Sequence, residues 1–443
     1  MRIKALGVAV VLLLLLSACL GEGGGAGGGD GDGGVVNVMG TWEGEEAELF
    51  RQAIAPFEEN TGIEVKYEGN RDVSTLVVTR IEGGAPPDVA FLSPGLIAAL
   101  AERGELRDLS NVLDVASLTD SVVPGILEVS TINDRVIAVP FRVTVKSLVW
   151  YPQPEWDEAG YEVPQTWEEL QSLTDQIREG GIAPWCIGVE SGDATGWVVT
   201  DWIEEFMLRT AGPDAYDRWV AGELPFDSPE VRQAAELFAE VAFTEGNILG
   251  SRQGMLSLPF GDAPAGMFED PPQCFLHRQA TFIQTFFPDG TSPGEDYGLF
   301  YFPPMPGIGE YDGSPVLGAG DYAGLLTENP AAERFMEYLA SPEAGEGWAE
   351  AEGSFLSPHT GFDESLYPDD ITRQQAQILA QADEFRFDAS DLMPPEVGVG
   401  RFWSEMVAWV TGEKELQEAM QAIDESYPER QTGSTGDGGT EGG

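Results

Sequence analysis

The chain has 443 residues, which is enough for two or three domains, and 42% of them are apolar, which is enough for well-formed cores. Its charge is strongly acidic, because 76 Asp and Glu residues oppose 23 Lys and Arg residues and give a formal net charge of −53. That charge argues against nucleic acid and anionic membrane surfaces as partners, and an aromatic content of 10% argues against a disordered chain. The acidity is typical of many secreted proteins and also of proteins adapted to salt, in which charge repulsion is screened.

The N-terminus has the features of a targeting segment. Arg2 and Lys4 precede the apolar run ALGVAVVLLLLL, which is short for a membrane span, and the small residues of LSAC follow it. LSAC resembles the cleavage motif of bacterial lipoproteins, which implies a signal peptide over 1–18 and lipidation of Cys19; an ordinary signal peptide or a membrane anchor is the alternative. The glycine-rich residues 19–34 would then form a flexible tether. The protein would be anchored by its lipid at the outer face of the cell membrane, or would lie in a periplasm.

Two cysteines remain after Cys19 is set aside. Disulfides persist outside the cytoplasm, so the sequence predicts a bridge between Cys186 and Cys274, with two buried free thiols as the alternative.

From residue 35 the pattern alternates between strands and helices. VVNVMG predicts a strand, and the helically spaced run after it ends at Gly62. The alternation continues with the strand IEVKYEG, a helix over 73–82, the strand PPDVAFLS and the short helix PGLIAALAERG. Repeated β-α-β units predict a parallel sheet with helices on both faces. Asn133-Asp134 predicts a hairpin turn, and VTVKSLVWY predicts a strand that carries the chain out of this region.

The second half of the chain is more helical. Thr166 and Glu169 make a capping box, and Ser228-Pro229 opens another helix. Further strands are predicted over 297–302 and 321–326, and further helices over 330–340, 342–351, 369–383, 401–411 and 413–424. Residues 431–443 predict a disordered tail.

The sequence does not argue for catalysis. The chain has no H-E-x-x-H motif and no Walker loop, and its two histidines, His277 and His359, have no partner at metal-ligand spacing. With 76 acids, a glycosidase pair cannot be identified from spacing. We therefore expect a protein that is not an enzyme and has no metal or cofactor; a secreted glycoside hydrolase and a scaffold lipoprotein are the alternatives from other classes.

Aromatic residues beside polar residues in loops indicate a binding site instead. They occur in GTWEGEE, YEGNRD, PWCIGVESGDATGWVVTDW, GAGDYAG and GSFLSPHTGF. An aromatic ring can stack on the C–H face of a sugar, and an adjacent polar side chain can bond its hydroxyl groups. Trp197 follows Gly192 and Gly196 and is predicted to face ligand, Trp202 is predicted to be core, and Trp185 is compatible with either place.

The stretch KSLVWYPQPEWDEAGYEVPQTWEELQSLTDQI resembles the extracytoplasmic solute-binding subunits of carbohydrate ABC importers, of the maltose-binding-protein type. The finer similarity is to the alpha-glucoside-binding branch of this family, and the whole resemblance runs from about 36 to 428. The stretches similar to that branch are PWCIGVESGDATGWVVTDWIEEFMLRTAGPDAYDRWV, PFGDAPAGMFEDPPQCFLHRQATFI, GEDYGLFYFPP and YPDDITRQQAQILAQADEFRFDASDLM. It implies an α/β fold of two lobes, the type II periplasmic-binding-protein fold, in which each lobe is a mostly parallel sheet flanked by helices and the ligand cleft lies between them.

The resemblance also implies a function and a set of contacts. The protein would be a monomer that captures an alpha-glucoside by lobe closure and delivers it to permease subunits in the membrane; another oligosaccharide or a polyol is the alternative ligand. The implied lobes are 35–145 plus about 305–365, and 146–304 plus about 366–430. The implied sugar-binding residues are Trp42, Glu43, Glu45, Arg71, Asp72, Arg142, Lys146, Trp185, Trp197, Asp262, Asp321, Tyr322 and Phe355.

Overall fold

The structure is a computed structural model that describes residues 34–351 and 355–428. Its strands are β1 Val35–Gly40, β2 Glu64–Gly69, β3 Val89–Leu92, β4 Thr131–Ile132, β5 Arg135–Val136, β6 Ala138–Val145, β7 Leu148–Pro152, β8 Ala183–Trp185, β9 Cys274–Arg278, β10 Tyr297–Tyr301, β11 Val316–Leu325 and β12 Phe385–Phe387. The predicted signal peptide, the lipidation of Cys19, nearly all of the tether and the predicted tail lie outside the described residues.

Helices cover both sheets. They are α1 Gly44–Thr61, α2 Val73–Glu82, α3 Pro94–Glu102, α4 Val115–Ser121, α5 Gln153–Ala159, α6 Trp167–Glu179, α7 Trp197–Thr210, α8 Pro213–Val220, α9 Pro229–Phe243, α10 Arg252–Met255, α11 Pro330–Leu339, α12 Glu346–Ala351, α13 Asp370–Ala380, α14 Ala389–Leu392, α15 Trp403–Thr411 and α16 Leu416–Asp424. Local signals decide several of these bounds. Gly62 ends α1 in the left-handed conformation, and the Ser228 side chain caps α9.

The first sheet has the strand order β12-β11-β3-β1-β2, with β6 also paired to β11. Strand β1 is parallel to β2 and to β3, which confirms the predicted β-α-β units. Because the carboxyl ends of parallel strands meet at one edge of a sheet, the loops after β1 and β2 lie side by side. A Cβ atom on Gly69 would stand 1.9 Å from the Trp42 carbonyl oxygen, so glycine is required where these loops approach each other.

The second sheet has the order β10-β7-β9-β8 and is mixed rather than mostly parallel. Strand β7 is antiparallel to β10 and β9, and only β8 runs parallel to its neighbour. The predicted strand VTVKSLVWY is divided into β6 and β7, one in each sheet. The division occurs at Lys146 and Ser147. The Lys146 N–H donates to the carbonyl of Leu317 on β11, and the Ser147 hydroxyl accepts from the Leu317 N–H. The Ser147 carbonyl already accepts from Phe302, which directly follows β10 of the second sheet.

Two separate sheets flanked by helices give the expected α/β fold of two lobes. The buried apolar residues form two hydrophobic cores, and the first core also includes Trp150 and Leu299 of the second sheet. Phe50, Phe91 and Phe141 are among the buried residues of the first core, and Phe206 and Trp219 are among those of the second. Strand β12 pairs with β11 in the first sheet, although the sequence placed 366–430 in the second lobe. The other lobe bounds remain predictions.

The predicted disulfide is confirmed. Cys186 and Cys274 are bonded with their Cα atoms 5.4 Å apart, and they join the residue after β8 to the first residue of β9. None of the helices in the described ranges is both long enough and apolar enough to cross a membrane.

Candidate functional site

The site lies where the chain passes from the first sheet to the second. Arg142, Thr144 and Lys146 occupy alternate positions at the end of β6, so they share one side of the strand. Arg142 and Thr144 are half-buried, while the intervening residues Val143 and Val145 are buried. One side of this strand therefore presents polar groups at the junction of the lobes.

Arg142 is held by carboxylates and by two indole rings. Its guanidinium donates to Asp321 on β11 at 2.7 Å and lies 3.5 Å from Glu46. It also lies 4.8 Å from the ring centroid of Trp348 and 5.4 Å from that of Trp42. Because 16% of the Arg142 side chain and 24% of the Asp321 side chain remain accessible, the pair can offer a ligand both donors and acceptors.

Lys146 is buried deeper in the same junction. Its ammonium donates to Asp201 at 2.9 Å and to Asp388, which directly follows β12. Burial by itself would lower the pKa of Lys146, but the two carboxylates outweigh it and raise that pKa. Lys146 in turn lowers the pKa of Asp388, against the effect of burial. The ammonium therefore connects the ends of β6 and β12, both strands of the first sheet, to helix α7.

The buried charges continue behind Lys146. Glu205 accepts from Arg278 at 2.6 Å, from Arg209 at 2.6 Å and from Ser147 at 2.9 Å. Glu204 accepts from the backbone N–H groups of Ala389 and Ser390. Seven buried ionisable side chains form this cluster, which we call the junction cluster: Lys146, Asp201, Glu204, Glu205, Arg209, Arg278 and Asp388.

The junction cluster contains four carboxyl groups and three cations. Burial raises the pKa of Asp201 to about 7, with Asp388 acting in the same direction, and burial raises the pKa of Glu204 well above its ordinary value. One oxygen atom from each of Asp201, Glu204 and Asp388 lies within 4.8 Å of the others. Lys146 already supplies a cation to two of these carboxylates, so the arrangement is an ion-pair cluster and not a metal centre.

The stability of the protein should depend on pH through Asp201. Its pKa is about 7 in the folded protein against an ordinary 3.8, so the folded state retains a proton that the unfolded state has released. The resulting stability is present below about pH 4 and is lost as pH rises through about 7. We expect the free energy of unfolding to fall by about 2 kcal/mol between about pH 5 and 7 through this group.

Urea unfolding at a series of pH values measures this effect. Asp201→Asn should remove that part of the slope, and Asp193→Asn, at an exposed carboxylate, should keep it. An unchanged slope in Asp201→Asn would mean that this carboxyl does not hold the proton.

Trp197 opens helix α7 on the other side of the junction. Its ring is half-buried, lies 5.2 Å from the ring of Phe260 and 6.1 Å from that of Phe282, and has the Lys146 ammonium 5.6 Å from its centroid. Gly196 precedes it with φ +125, and a Cβ atom there would stand 2.7 Å from the backbone oxygen of Trp403. Glycine is thus needed to bring the two tryptophan segments together.

The sequence analysis missed Trp403 and Asp391. The half-buried Trp403 donates its indole N–H to Ser390 at 3.1 Å, and Ser390 donates to Asp388 of the junction cluster. Asp391 retains access to solvent, while surrounding protein atoms partly desolvate its carboxyl and raise its pKa to about 7, helped by Asp388. A π-helix over Glu396–Phe402 precedes Trp403; such segments often mark functional sites, but no sequence signal announced this one.

Four of the predicted sugar-binding residues are exposed at the carboxyl edge of β1 and β2. Arg71 is 3.6 Å from Glu43, and their side chains are 76% and 49% exposed. Glu45 and Asp72 are exposed beside them. The structure therefore pairs Arg71 with Glu43 and not with Asp72, at the carboxyl edge of β1 and β2. Asp262 is also exposed, just before a 3-10 helix over Ala263–Phe268.

Four predicted contact residues are buried instead, each with at most 1% exposure: Trp42, Trp185, Tyr322 and Phe355. Their side chains do not face solvent, and their contact with a sugar stays a prediction. Trp42 packs 5.0 Å from Phe50 and supports Arg142 from beneath.

Trp185, Tyr322 and Phe355 are buried for different reasons. Trp185 packs edge-on against Trp202, 5.1 Å away, in the second core. Tyr322 follows Asp321 on β11, and its hydroxyl donates to the backbone of Ile126 at 2.9 Å. Phe355 packs 5.4 Å from Phe141. The structure thus brings together Arg142, Asp321, Lys146 and Trp197 from the predicted set, and adds Trp403 and Asp391.

Comparison with known proteins agrees with this architecture. Residues 42–346 match the family described as bacterial extracellular solute-binding protein. The osmoprotective compounds-binding protein GgtB of Synechocystis sp. is 44% identical over 89% of this chain and 92% of its own length. The alpha-glucosides-binding periplasmic protein AglE of Rhizobium meliloti is 43% identical over 85% of this chain and 83% of its own length.

Solved structures show the same fold at low identity. The bacterial solute receptor AcbH superimposes with a TM-score of 0.76 at 16% identity and covers 89% of this chain and 98% of its own. The ligand-free form of RafE from Streptococcus pneumoniae superimposes with a TM-score of 0.71 at 18% identity and covers 89% and 97%. The family match and the two relatives above 40% identity show that this chain belongs to the bacterial extracellular solute-binding protein family and is a binding protein rather than an enzyme.

Proposed function

We propose that the protein is the substrate-binding subunit of an ABC sugar importer and that its ligand is an alpha-glucoside. The observation that carries this proposal is the group of half-buried indoles and ionic side chains at the lobe junction: Trp197, Trp403, Arg142, Asp321 and Asp391. Flat rings offer stacking surfaces to the C–H faces of a sugar, and the charged groups can bond its hydroxyls in pairs.

The choice of an alpha-glucoside rests on a relative. AglE is named as alpha-glucosides-binding and is 43% identical to this chain, and the sequence resemblance pointed to the same branch. GgtB, named for osmoprotective compounds, is 44% identical. Another oligosaccharide or a polyol is therefore the second candidate, and the ligand panel below includes both.

Ligand capture would proceed by closure of the two lobes. The connection at Lys146-Ser147 lies between strands of the two sheets, and the segment at Asp388 leads from β12 of the first sheet to the helices α14 to α16. The Lys146 ammonium bonds the two segments to each other. In this proposal the lobes turn about these connections as one rigid body against the other, and the closed protein presents the sugar to permease subunits. A lipid on Cys19 would keep the monomeric protein at the outer face of the membrane.

A thermal-shift screen tests the ligand class. The panel contains maltose, trehalose, sucrose, palatinose, an alpha-glucoside of a polyol, glucose, a free polyol and an amino acid. A ligand that binds only the folded state should stabilise it by about 2.7 kcal/mol at about 100 times its Kd. An upward shift with one alpha-linked glucoside and none with the amino acid is expected. No shift with any glucoside, but one with another sugar or polyol, would replace the alpha-glucoside assignment by the second candidate.

Trp197→Ala and Trp403→Ala should each weaken binding of that ligand by about 10- to 100-fold, because each removes a stacking surface beside the charged groups. Isothermal titration measures the affinity. Trp403→Phe is the matched control, since it keeps a ring at the same place and should lose less. If either alanine variant unfolds without ligand, or binds as tightly as the unmodified protein, that ring does not hold the sugar.

A further inference from the structure

A group of phenylalanine rings connects Trp197 of the candidate site to solvent. The ring centroid of Phe260 lies 5.2 Å from that of Trp197, and the centroid of Phe286 lies 5.1 Å from that of Phe260. Phe282 contacts both Trp197 and Phe260, at 6.1 and 6.2 Å. We call Phe260, Phe282 and Phe286 the phenylalanine strip. Because each ring touches the next, the strip is an apolar extension of the site at the lobe junction.

The phenylalanine strip is open to solvent. Phe286 is 47% exposed, more than any other phenylalanine in the described ranges, and Phe260 and Phe282 are half-buried. Single exposed apolar side chains are ordinary on a protein surface, whereas connected ones that border a polar site mark ligand grooves. Covering Phe286 with a ligand would remove apolar surface from water, which favours binding.

The rings meet edge to face. The planes of Trp197 and Phe260 are inclined by 70°, and those of Phe260 and Phe286 by 62°. Rings that meet in this way do not stack on one another, so a face that solvent reaches stays available to the C–H face of a sugar. The centroid steps of 5.2 and 5.1 Å are each comparable to the spacing of adjacent rings in an oligosaccharide.

The local backbone holds Phe286 in this place. A 3-10 helix over Thr281–Phe286 carries both Phe282 and Phe286. A Cβ atom on Gly261 would stand 2.3 Å from the Phe286 ring, so the ring lies directly on the backbone next to Phe260. Glycine at position 261 is therefore what lets the ring join the strip.

The same elements start at the lobe junction. Directly before the 3-10 helix, the Gln279 N–H donates to the carbonyl of Leu148, the first residue of β7 after the chain crossing, at 3.1 Å. The Phe260 N–H donates at 3.1 Å to the carbonyl of Glu190, in the segment that leads to Trp197. The strip is therefore fixed to the second lobe and begins beside the crossing.

We propose that the phenylalanine strip is a second sugar subsite, which receives the ring linked to the glucosyl unit at Trp197, and that Phe286 is a specificity-determining residue. This inference rests on the proposed function and deepens it, because it selects glucosides with two rings over those with a small aglycone. Phenylalanine has no hydrogen-bonding group, so the strip recognises the C–H face of the second ring. Asp262, exposed and two residues after Phe260, offers an acceptor for its hydroxyls.

Isothermal titration of the full chain tests the proposal with maltose, trehalose and methyl alpha-D-glucopyranoside. We expect at least one disaccharide to bind about fivefold or more tightly than the methyl glucoside, whose aglycone is too small to reach Phe286. Phe286→Ala should weaken that disaccharide by about 5- to 10-fold and change the affinity for the methyl glucoside by less than about twofold. Phe286→Tyr keeps the ring and should bind the disaccharide as the unmodified protein does.

Two further variants separate the ring from general effects. Val163 is an apolar residue of the same lobe, between α5 and α6, and is 38% exposed, so Val163→Ala should leave all three affinities unchanged. Gly261→Ala keeps Phe286 but displaces its ring, so it should weaken the disaccharide more than the methyl glucoside. Because Phe286 is exposed, its alanine variant should fold normally, which circular dichroism checks.

Three outcomes overturn the proposal. Phe286→Ala changes the affinities for the disaccharide and the methyl glucoside by the same factor, or changes neither. The unmodified protein binds the methyl glucoside as tightly as both disaccharides. In either case the proposed function stands, since glucosides still bind. If none of the three sugars binds the unmodified protein, the subsite is overturned together with the alpha-glucoside assignment.

Discussion

Lys146→Met is expected to lower the free energy of unfolding by about 3–5 kcal/mol. The ammonium of Lys146 is buried between Asp201 and Asp388, with 9% of its side chain exposed against 1% and 3% for the carboxylates. Removing the ammonium leaves the charge of Asp388, and of the ionised fraction of Asp201, uncompensated in a medium that solvates it poorly. Equilibrium unfolding in urea at neutral pH measures the loss.

Lys66→Met is the matched control for this experiment. Lys66 lies 3.6 Å from Glu64, but both side chains are more than half exposed. Exposed pairs of this kind contribute about 0–1 kcal/mol, so the control should remain close to the unmodified protein. The double variant Lys146→Met, Asp388→Asn should recover part of the loss, because it removes one of the unpaired carboxylates. Equal losses for Lys146→Met and Lys66→Met would contradict the buried ion pairs described above.

Loss of the disulfide should lower the free energy of unfolding by about 4.6 kcal/mol at most. Cys186 and Cys274 are 88 residues apart in the sequence, and a closed loop of this length removes much conformational entropy from the unfolded chain. The double variant Cys186→Ala, Cys274→Ala should therefore unfold at a lower urea concentration than the unmodified protein. The bond lies within the second lobe, so the lobe junction should keep its ligand under native conditions.

A reductant provides the control for this prediction. Reduction should destabilise the unmodified protein and leave the double variant unchanged, since the variant has no bond to reduce. The prediction would be wrong if the double variant and the oxidised unmodified protein unfolded at the same urea concentration.

Local signals were sufficient for much of the fold. Helix α2 spans the predicted residues 73–82, Gly62 ends α1, and Asn133 and Asp134 adopt positive φ values in the predicted turn. Periodicity, caps and turns depend on neighbouring residues, so a single sequence contains them. The two cysteines were paired correctly because only two remained in an oxidising compartment.

The same reasoning was insufficient for the aromatic side chains. Trp42 and Trp197 both stand in loops with glycine and acidic neighbours, yet one is buried and the other half-buried. Trp42 is covered by Phe50 and Phe91 from other elements of the first lobe. Whether a ring faces core or cleft depends on which distant segments pack against it, and a local motif does not contain that information.

The sequence by itself therefore determined the family resemblance, the order and approximate bounds of the elements, the disulfide and the choice of Arg142 and Lys146 near a chain crossing. Only the tertiary structure decided that Lys146 meets Asp201 and Asp388, and that Trp403 stands beside Trp197. The physical reason is separation along the chain. Lys146 and Asp388 are 242 residues apart, and their contact arises because β6 and β12, which directly precede them, are both paired to β11 in the first sheet.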